Sequence, residues 1–341
     1  MKALNRRHFL ATGAATLAAP SIVRAQGRVL SISSFLPRGH VVPVYVLEEW
    51  IGLVQNETRG RVSVEILEKP LGPPPQQFPL LQDGTADIAY ALHGYSGADA
   101  FLRARIGQFS FLGDAYSASQ AFAEVYEGDL DAAEEHAGIK LLATFQHGPG
   151  ALFLRGRSID RIEDFEGLRI RTSGGYIAEL MNDLGAINVA MPPTRVREAF
   201  ETDLIDAVAF PYEGAASFGI IDLLTEVSEI RGGYYNATWF LGTSQAAWGT
   251  LSDRDQQVVE QLSRELVPLL AAKAFDFADY EGREQCLAAG VPVKQPSSQL
   301  FDQIRQKGLR YEAEWVEQVA AQGYDGQAAL DRTRHLTAVD R

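Results

Sequence analysis

Apolar and polar residues repeat along this chain with two different periods, and the period switches again and again. Val29 to Ser33 carries the two-residue alternation of a strand. Val44 to Gln55 changes to a helical spacing, with Val46, Leu47, Trp50, Ile51 and Val54 on one face. Val62 to Leu67 returns to a strand pattern, and Pro70, Gly72 and Pro73 to Pro75 then turn the chain. A short helix at Phe78 to Asp83, a strand at Ile88 to Leu92, a helix around Ser119 to Tyr126 and a strand at Ile205 to Ala209 continue the alternation. Strands interleaved with helices in this way predict α/β architecture with parallel or mixed sheets.

The pattern changes after Ser252. Ser252 or Asp253 can cap a helix, and apolar residues recur at Val258, Val259, Leu262, Leu266, Leu269, Leu270, Ala274 and Phe277. Carried through Tyr280 and Leu287 to Ala289, the helix is about 36 residues long, on the order of 54 Å at 1.5 Å per residue. Pro268 removes a backbone donor from its interior, so the segment is either one kinked helix or two ordinary helices broken there. A single helix of that length exceeds one lobe and must lean on two. The length of 341 residues also exceeds a comfortable single core, so two lobes are expected.

Leu168 to Arg171 fits a short strand in which Leu168 and Ile170 face one side and Arg169 and Arg171 the other. Arginines at alternate positions suit a solvated sheet face. A guanidinium at a strand end also suits a carboxylate, which its planar fork holds by two parallel hydrogen bonds. Charge makes individual arginines informative here, because the chain has 31 basic and 44 acidic residues and a net charge of −13. Such a body has no electrostatic attraction to nucleic acid or anionic lipid, and it binds an anion only by concentrating positive charge locally.

Residues 1–25 carry Lys2, Arg6, Arg7 and Arg24 without an acid, followed by a small apolar stretch from Phe9 to Val23. A basic start, an apolar stretch and a small-residue cleavage site predict a secretory signal cut after Ala25. Gly13 to Val23 is shorter than the roughly 20 residues a membrane helix needs. A permanent N-terminal anchor is the competing reading. Arg6-Arg7 followed by His8-Phe9-Leu10 resembles a twin-arginine export signal, with Asn5 where Ser or Thr is more usual. Without those four cations the formal charge of the exported chain falls to about −17.

Cys286 is the one cysteine, which excludes an intramolecular disulfide and a cysteine metal site, and its helical surroundings point to a buried structural thiol. The six histidines form no i, i+4 pair and no H-E-x-x-H arrangement, and neither G-x-S-x-G nor G-x-x-x-x-G-K-[ST] occurs. No metal, cofactor or nucleophile constellation supports an enzyme.

The run Asp164-Phe165-Glu166-Gly167-Leu168-Arg169-Ile170-Arg171 resembles the D-(L/M)-K-G-L-K-(I/L)-R segment of the solute-binding proteins of tripartite ATP-independent periplasmic (TRAP) transporters. Phe35, Pro37, His40, Trp50, Gly60 and Arg61 fit an F-x-P-x-x-H … W … G-R spacing of that family. Leu81 to Tyr90 resembles its L-x-x-G-x-x-D-(I/F) turn, Arg195 to Pro211 its E-V-Y-x-A-L-Q-x-G-x-V-D-G-x-E-x-P segment, and Ala246 to Val259 its W-x-x-L-P-x-(D/E)-x-Q helix entry. The resemblance implies a two-lobed periplasmic binding protein fold with a long helix spanning both lobes. Lobe I would hold residues 26–148 plus 237–278, lobe II residues 149–236 plus 279–341, and the ligand cleft would lie between them. It further implies that Arg171 clamps the ligand's carboxylate. The implied partners are an organic acid and the small and large membrane subunits of a permease, with a periplasmic monomer and no cofactor.

Departures from the family shape the expected pocket. Arg197 stands for a usual Tyr and Asp203 for a usual turn Gly. Leu92, Tyr95, Ala151 and Phe210 stand where the sialic-acid-binding branch has Glu, Arg, Arg and Asn. Losing those polar groups while keeping Arg171 implies a monocarboxylate with an apolar or aromatic body, since buried sugar hydroxyls would lack partners at about 1–3 kcal/mol each. Phe35, Phe210, Tyr212 and Trp239 are candidate walls, with hinge or core packing as the alternative for each aromatic cluster. Tyr234, Tyr235 and Phe240 crowd the same crossing as Trp239. Arg155, His93 and His147 are candidate donors to the acid, although a satisfied structural role is the leading alternative for each histidine. Two other functions compete: a receptor for a sensor kinase, and an exported enzyme with an inserted cofactor.

Overall fold

The computed structural model describes residues 28–97 and 100–337. The expected leader, with Arg6, Arg7 and the cleavage site, lies outside the described residues. Eleven strands are described: β1 (Arg28–Ser33), β2 (Val62–Ile66), β3 (Ile88–Leu92), β4 (Ile139–Gln146), β5 (Ala151–Leu154), β6 (Arg169–Arg171), β7 (Ile187–Asn188), β8 (Ala207–Phe210), β9 (Glu226–Ser228), β10 (Thr238–Ser244) and β11 (Val293–Lys294). They form two mixed sheets in the orders β2-β1-β3-β10-β4 and β11-β9-β5-β8-β6-β7. In the first, β1 runs parallel to β2 and β3 while β10 is antiparallel to β3 and β4. In the second, β8 is parallel to β6 and antiparallel to β5.

The chain crosses from the first sheet to the second between Gln146 and Ala151, and returns between Ser228 and Thr238. These two crossings tie the lobes together. Gly150 sits at the first, and an added Cβ there would strike the ring of Tyr235 on the second, so the two segments can lie side by side only with glycine.

The helix expected from Ser252 is one element, Asp253–Ala288, with the Ser252 hydroxyl accepting from the Asp255 amide at 3.2 Å. It continues through the buried Pro268, so the alternative of two separate helices does not form. Its buried stripe runs Val259, Ser263, Val267, Ala271, Phe275 and, after a wider step, Gly282 and Cys286. Packing is against β4, the helices of residues 42–57 and Ala115–Phe122 in one lobe, and Tyr212–Ser217 in the other. A Cβ at Gly282 would lie 2.5 Å from the Tyr212 carbonyl, so the helix meets the second lobe backbone to backbone. Cys286 is fully buried as expected, whereas Phe277 is 62 % exposed. Phe277 stands about 200° round the helix from Phe275, off this buried stripe, so the apolar spacing that includes it does not mark the buried face.

Two other helices begin or end differently from the sequence pattern. The predicted Val44–Gln55 helix starts earlier, with a wide i→i+5 turn over Val42–Leu47 before the α-helix Glu48–Glu57. The helix predicted around Ser119 begins at Ala115, capped by the Asp114 carboxylate. The C-terminal helices Ser298–Ala320 and Gly326–Thr337 touch both lobes. Trp315 Nε1 donates to Leu102 O at 2.8 Å, while Lys307 and Arg310 pair with Asp183 at 2.9 and 2.8 Å.

Candidate functional site

The strand ends that converge between the sheets line a narrow cavity of about 40 Å³. Phe35, Leu36 and His40 follow β1, Leu92 and Tyr95 end and follow β3, His147 follows β4, and Tyr235 and Trp239 enter β10. The second lobe supplies Arg171 and Ser173 at the end of β6, and Phe210, Pro211, Glu213 and Gly214 at the end of β8. Phe275 of the long helix closes one side. Ligands of open α/β sheets sit at such carboxyl ends, where side chains and free backbone amides converge.

Arg171 is 1 % exposed and has no carboxylate within ion-pair distance among the described residues. Its Nε donates to Met191 O and its Nη2 to Tyr95 Oη, both at 3.2 Å, while Nη1 has no partner among them. Phe210 lies under the guanidinium, 5.0 Å from ring centroid to Cζ. The other deeply buried arginines are neutralised: Arg103 by Glu134 and Glu135, Arg105 by Glu179, Arg334 by Glu312. Arg169 shares the strand face with Arg171 but meets Asp206 at 2.6 Å. A buried cation left unpaired is costly, and an entering anion removes that cost.

Aromatic rings form the rest of the wall. Phe35 stacks on Trp239 at 6.2 Å and meets Tyr95 edge-on at 6.1 Å. Trp239 stacks on Phe145 at 5.7 Å, and Phe210 on Phe218 at 5.3 Å. This gives flat, apolar surfaces around one cation.

Three contacts join the lobes across the cavity. Tyr95 Oη reaches Arg171 as described. His40 Nε2 lies 3.2 Å from Glu213 Oε1, both side chains being buried. Val42 N–H donates to His40 Nδ1 at 3.3 Å, so the ring proton sits on Nε2 and points at the carboxylate. Burial lowers the His40 pKa, with Glu213 opposing the shift. At the third contact Gly94 and Gly174 pass backbone to backbone, and a Cβ on Gly94 would lie 3.0 Å from Ser173 O.

Asp279 of the long helix accepts from the Glu213 amide at 2.7 Å through Oδ1, while its buried Oδ2 has no partner among the described residues. Burial drives the Asp279 pKa well above the ordinary carboxylate value.

A family model for bacterial extracellular solute-binding proteins, family 7 (DctP), matches residues 32–318. The chain belongs to this family. As a family 7 protein it is similar to a TRAP periplasmic solute-binding protein of Bordetella bronchiseptica that holds (R)- and (S)-mandelate. Their identity is 31 % and TM-score 0.87, over 91 % of this chain and 98 % of the other. A marine metagenome TRAP solute-binding protein in complex with 3-hydroxybenzoate is 26 % identical with TM-score 0.82, covering 93 % of this chain and all of the other. The outer membrane transporter protein TsaT of Comamonas testosteroni is 26 % identical over 99 % of this chain and all of its own length. The two-lobed fold with its long spanning helix is the TRAP solute-binding fold.

The family 7 cavity gathers Arg171, Phe210, Tyr95, Trp239, Phe35 and His147 from the sequence candidates, together with Leu92. Three candidates lie elsewhere. Tyr212 starts a helix that turns its ring against Phe153 at 5.2 Å, and its hydroxyl bonds Glu229 at 2.7 Å. His93 folds back into the first core, its Nε2 3.2 Å from His136 Nε2, and burial holds its pKa far below the ordinary value. Arg155 follows β5, which runs antiparallel to β8, so it emerges at the sheet edge opposite the cleft and pairs with Asp203 at 2.6 Å. Ala151 pairs with Phe210 across those two strands and packs in the second core. The cavity adds Glu213, Tyr235, Phe218 and Phe275, and places in its wall His40, known from sequence only as a motif position.

A larger open hollow lies beside the helix Ser298–Ala320, edged by Phe111, Phe301, Arg305 and Arg334. Its deeply buried cation, Arg334, already carries Glu312.

Proposed function

We propose that this chain is an exported, non-enzymatic receptor that captures a monocarboxylate with an aromatic body and delivers it to the two membrane subunits of a TRAP permease. The observation that carries the reading is Arg171, a buried guanidinium without a counter-ion among the described residues, set among Phe35, Phe210 and Trp239. The carboxylate supplies the missing charge and the rings bury the body. Relatives holding mandelate and 3-hydroxybenzoate support that ligand class. No helix among the described residues is long and apolar enough to cross a membrane. A leader ending near Ala25 and a periplasmic location complete the reading, with lobes of residues 26–148 plus 237–278 and 149–236 plus 279–341.

Calorimetric titration of the leader-less protein with mandelate and 3-hydroxybenzoate tests this. At least one should bind in the wild type, and Arg171→Ala should lose detectable binding with an unchanged far-UV circular dichroism spectrum. Arg171→Lys should bind poorly, because a point charge replaces a fork. Retention of affinity by Arg171→Ala within about threefold, roughly 0.65 kcal/mol, would move the anchor elsewhere.

A further inference from the structure

The cavity has a second polar corner that Arg171 does not serve. His147 is 4 % exposed, and its Nδ1 lies 2.6 Å from the Gly148 carbonyl. A carbonyl only accepts, so Nδ1 carries the ring proton and Nε2 is left with a bare lone pair. That Nε2 has no partner among the described residues. Burial lowers the His147 pKa to about 4, which keeps the ring neutral and its lone pair free at ordinary pH. Trp239 presents the opposite need: its Nε1–H is a buried donor with no acceptor among the described residues. Both rings flank Phe275, with centroids 6.2 and 6.3 Å from it, and both line the cavity.

A lone acceptor and a lone donor around one ring are both satisfied by a hydroxyl, which donates one hydrogen and accepts another. A methyl or a hydrogen at that place satisfies neither, and a second carboxylate would set an anion against the His147 lone pair. We infer that the ligand is a hydroxy-substituted aromatic carboxylate whose hydroxyl donates to His147 Nε2 and accepts from Trp239 Nε1, so that these two residues set specificity. The inference rests on the aromatic-acid reading of the same cavity.

The test compares two matched pairs by calorimetry, phenylacetate with mandelate and benzoate with 3-hydroxybenzoate, on wild type, Trp239→Phe and His147→Phe. In wild-type protein the hydroxylated member of at least one pair should bind tenfold or more tighter than its parent. Trp239→Phe keeps an aromatic ring while removing the N–H together with part of the indole, so the ratio should fall several-fold. In His147→Phe it should fall towards one, and His147→Gln, which restores an acceptor, should recover part of it. Ratios near one in the wild type, or ratios that survive both phenylalanine variants, overturn the inference while leaving an aromatic-acid receptor intact. Failure of all four acids to bind overturns both.

Discussion

The His40–Glu213 contact bridges residues 173 positions apart, one after β1 of the first sheet and one after β8 of the second, so it is expected to form only when the cleft is shut. Replacing His40 by alanine removes the Nε2 donor and leaves the Glu213 carboxylate, 2 % exposed, with the Ser217 hydroxyl as its remaining side-chain donor. A hydrogen bond to a buried charged group contributes about 1.5–3 kcal/mol. In the open form both groups are hydrated, so nearly all of that loss falls on the closed form that retains ligand. The expected penalty in affinity is therefore about 10- to 150-fold. His40 also lines the cavity, and a lost ligand contact would mimic a lost latch. A double-mutant cycle separates the two: His40→Ala, Glu213→Gln and the double variant, each titrated with mandelate and 3-hydroxybenzoate. A latch makes the double variant little worse than His40→Ala, whereas independent ligand contacts add. Small-angle scattering should show less compaction with ligand in every variant. Affinity within threefold of wild type in His40→Ala, or strictly additive losses, would refute the latch.

Gly94→Ala puts a Cβ 3.0 Å from Ser173 O without placing the backbone in a left-handed conformation, so it should weaken ligand binding several-fold while the melting temperature of the empty protein stays put; equal loss of both would show the residue serves folding instead. Asp279→Asn keeps the acceptor for the Glu213 amide and removes a carboxyl whose raised pKa costs the fold increasingly as pH climbs above the ordinary carboxylate range. Its melting temperature should exceed wild type at pH 8 and match it near pH 4, and a lower value at pH 8 would contradict the assignment. His136 and His147 have pKa values lowered by burial to about 4, so the unfolded chain takes protons first as pH falls below about 6.5. Each therefore withdraws stability between pH 6.5 and 4, on the order of 3 kcal/mol. Thermal melts that are flat across that window would refute it.

Local periodicity carried β1, β2 and β3 of the first sheet and the long helix, because each is written in contacts a few residues apart, whereas β4 and β10 went unread. Arg171 was legible for the same reason, as the last residue of a short strand. Strand direction was not. Arg155 and His147 both follow strands, yet only His147 meets the cleft, because β5 runs antiparallel to β8 and carries Arg155 to the opposite edge. Tyr212 differs from Phe210 by two positions, a same-face spacing in a strand, but β8 has ended and a helix has begun between them. Glu213 had no signal at all. Its meaning comes from His40, Asp279 and Ser217, and two of these are distant in sequence and meet it only through tertiary packing. Phe277 is the converse case, an apolar residue two positions from buried Phe275 and so on the other side of the helix, where apolar character alone suggested burial.

The unpaired charge on Arg171 makes occupancy and shape a single variable. In an open cleft, water solvates the guanidinium; shutting the lobes on nothing strips that water and leaves a bare cation, an electrostatic penalty that only an anion lifts. A neutral analogue of the right outline should therefore close the lobes less readily than the anion does. A partner that reads nothing but the closed outline of the receptor thereby also learns that an anion is inside, with no need to inspect the cargo.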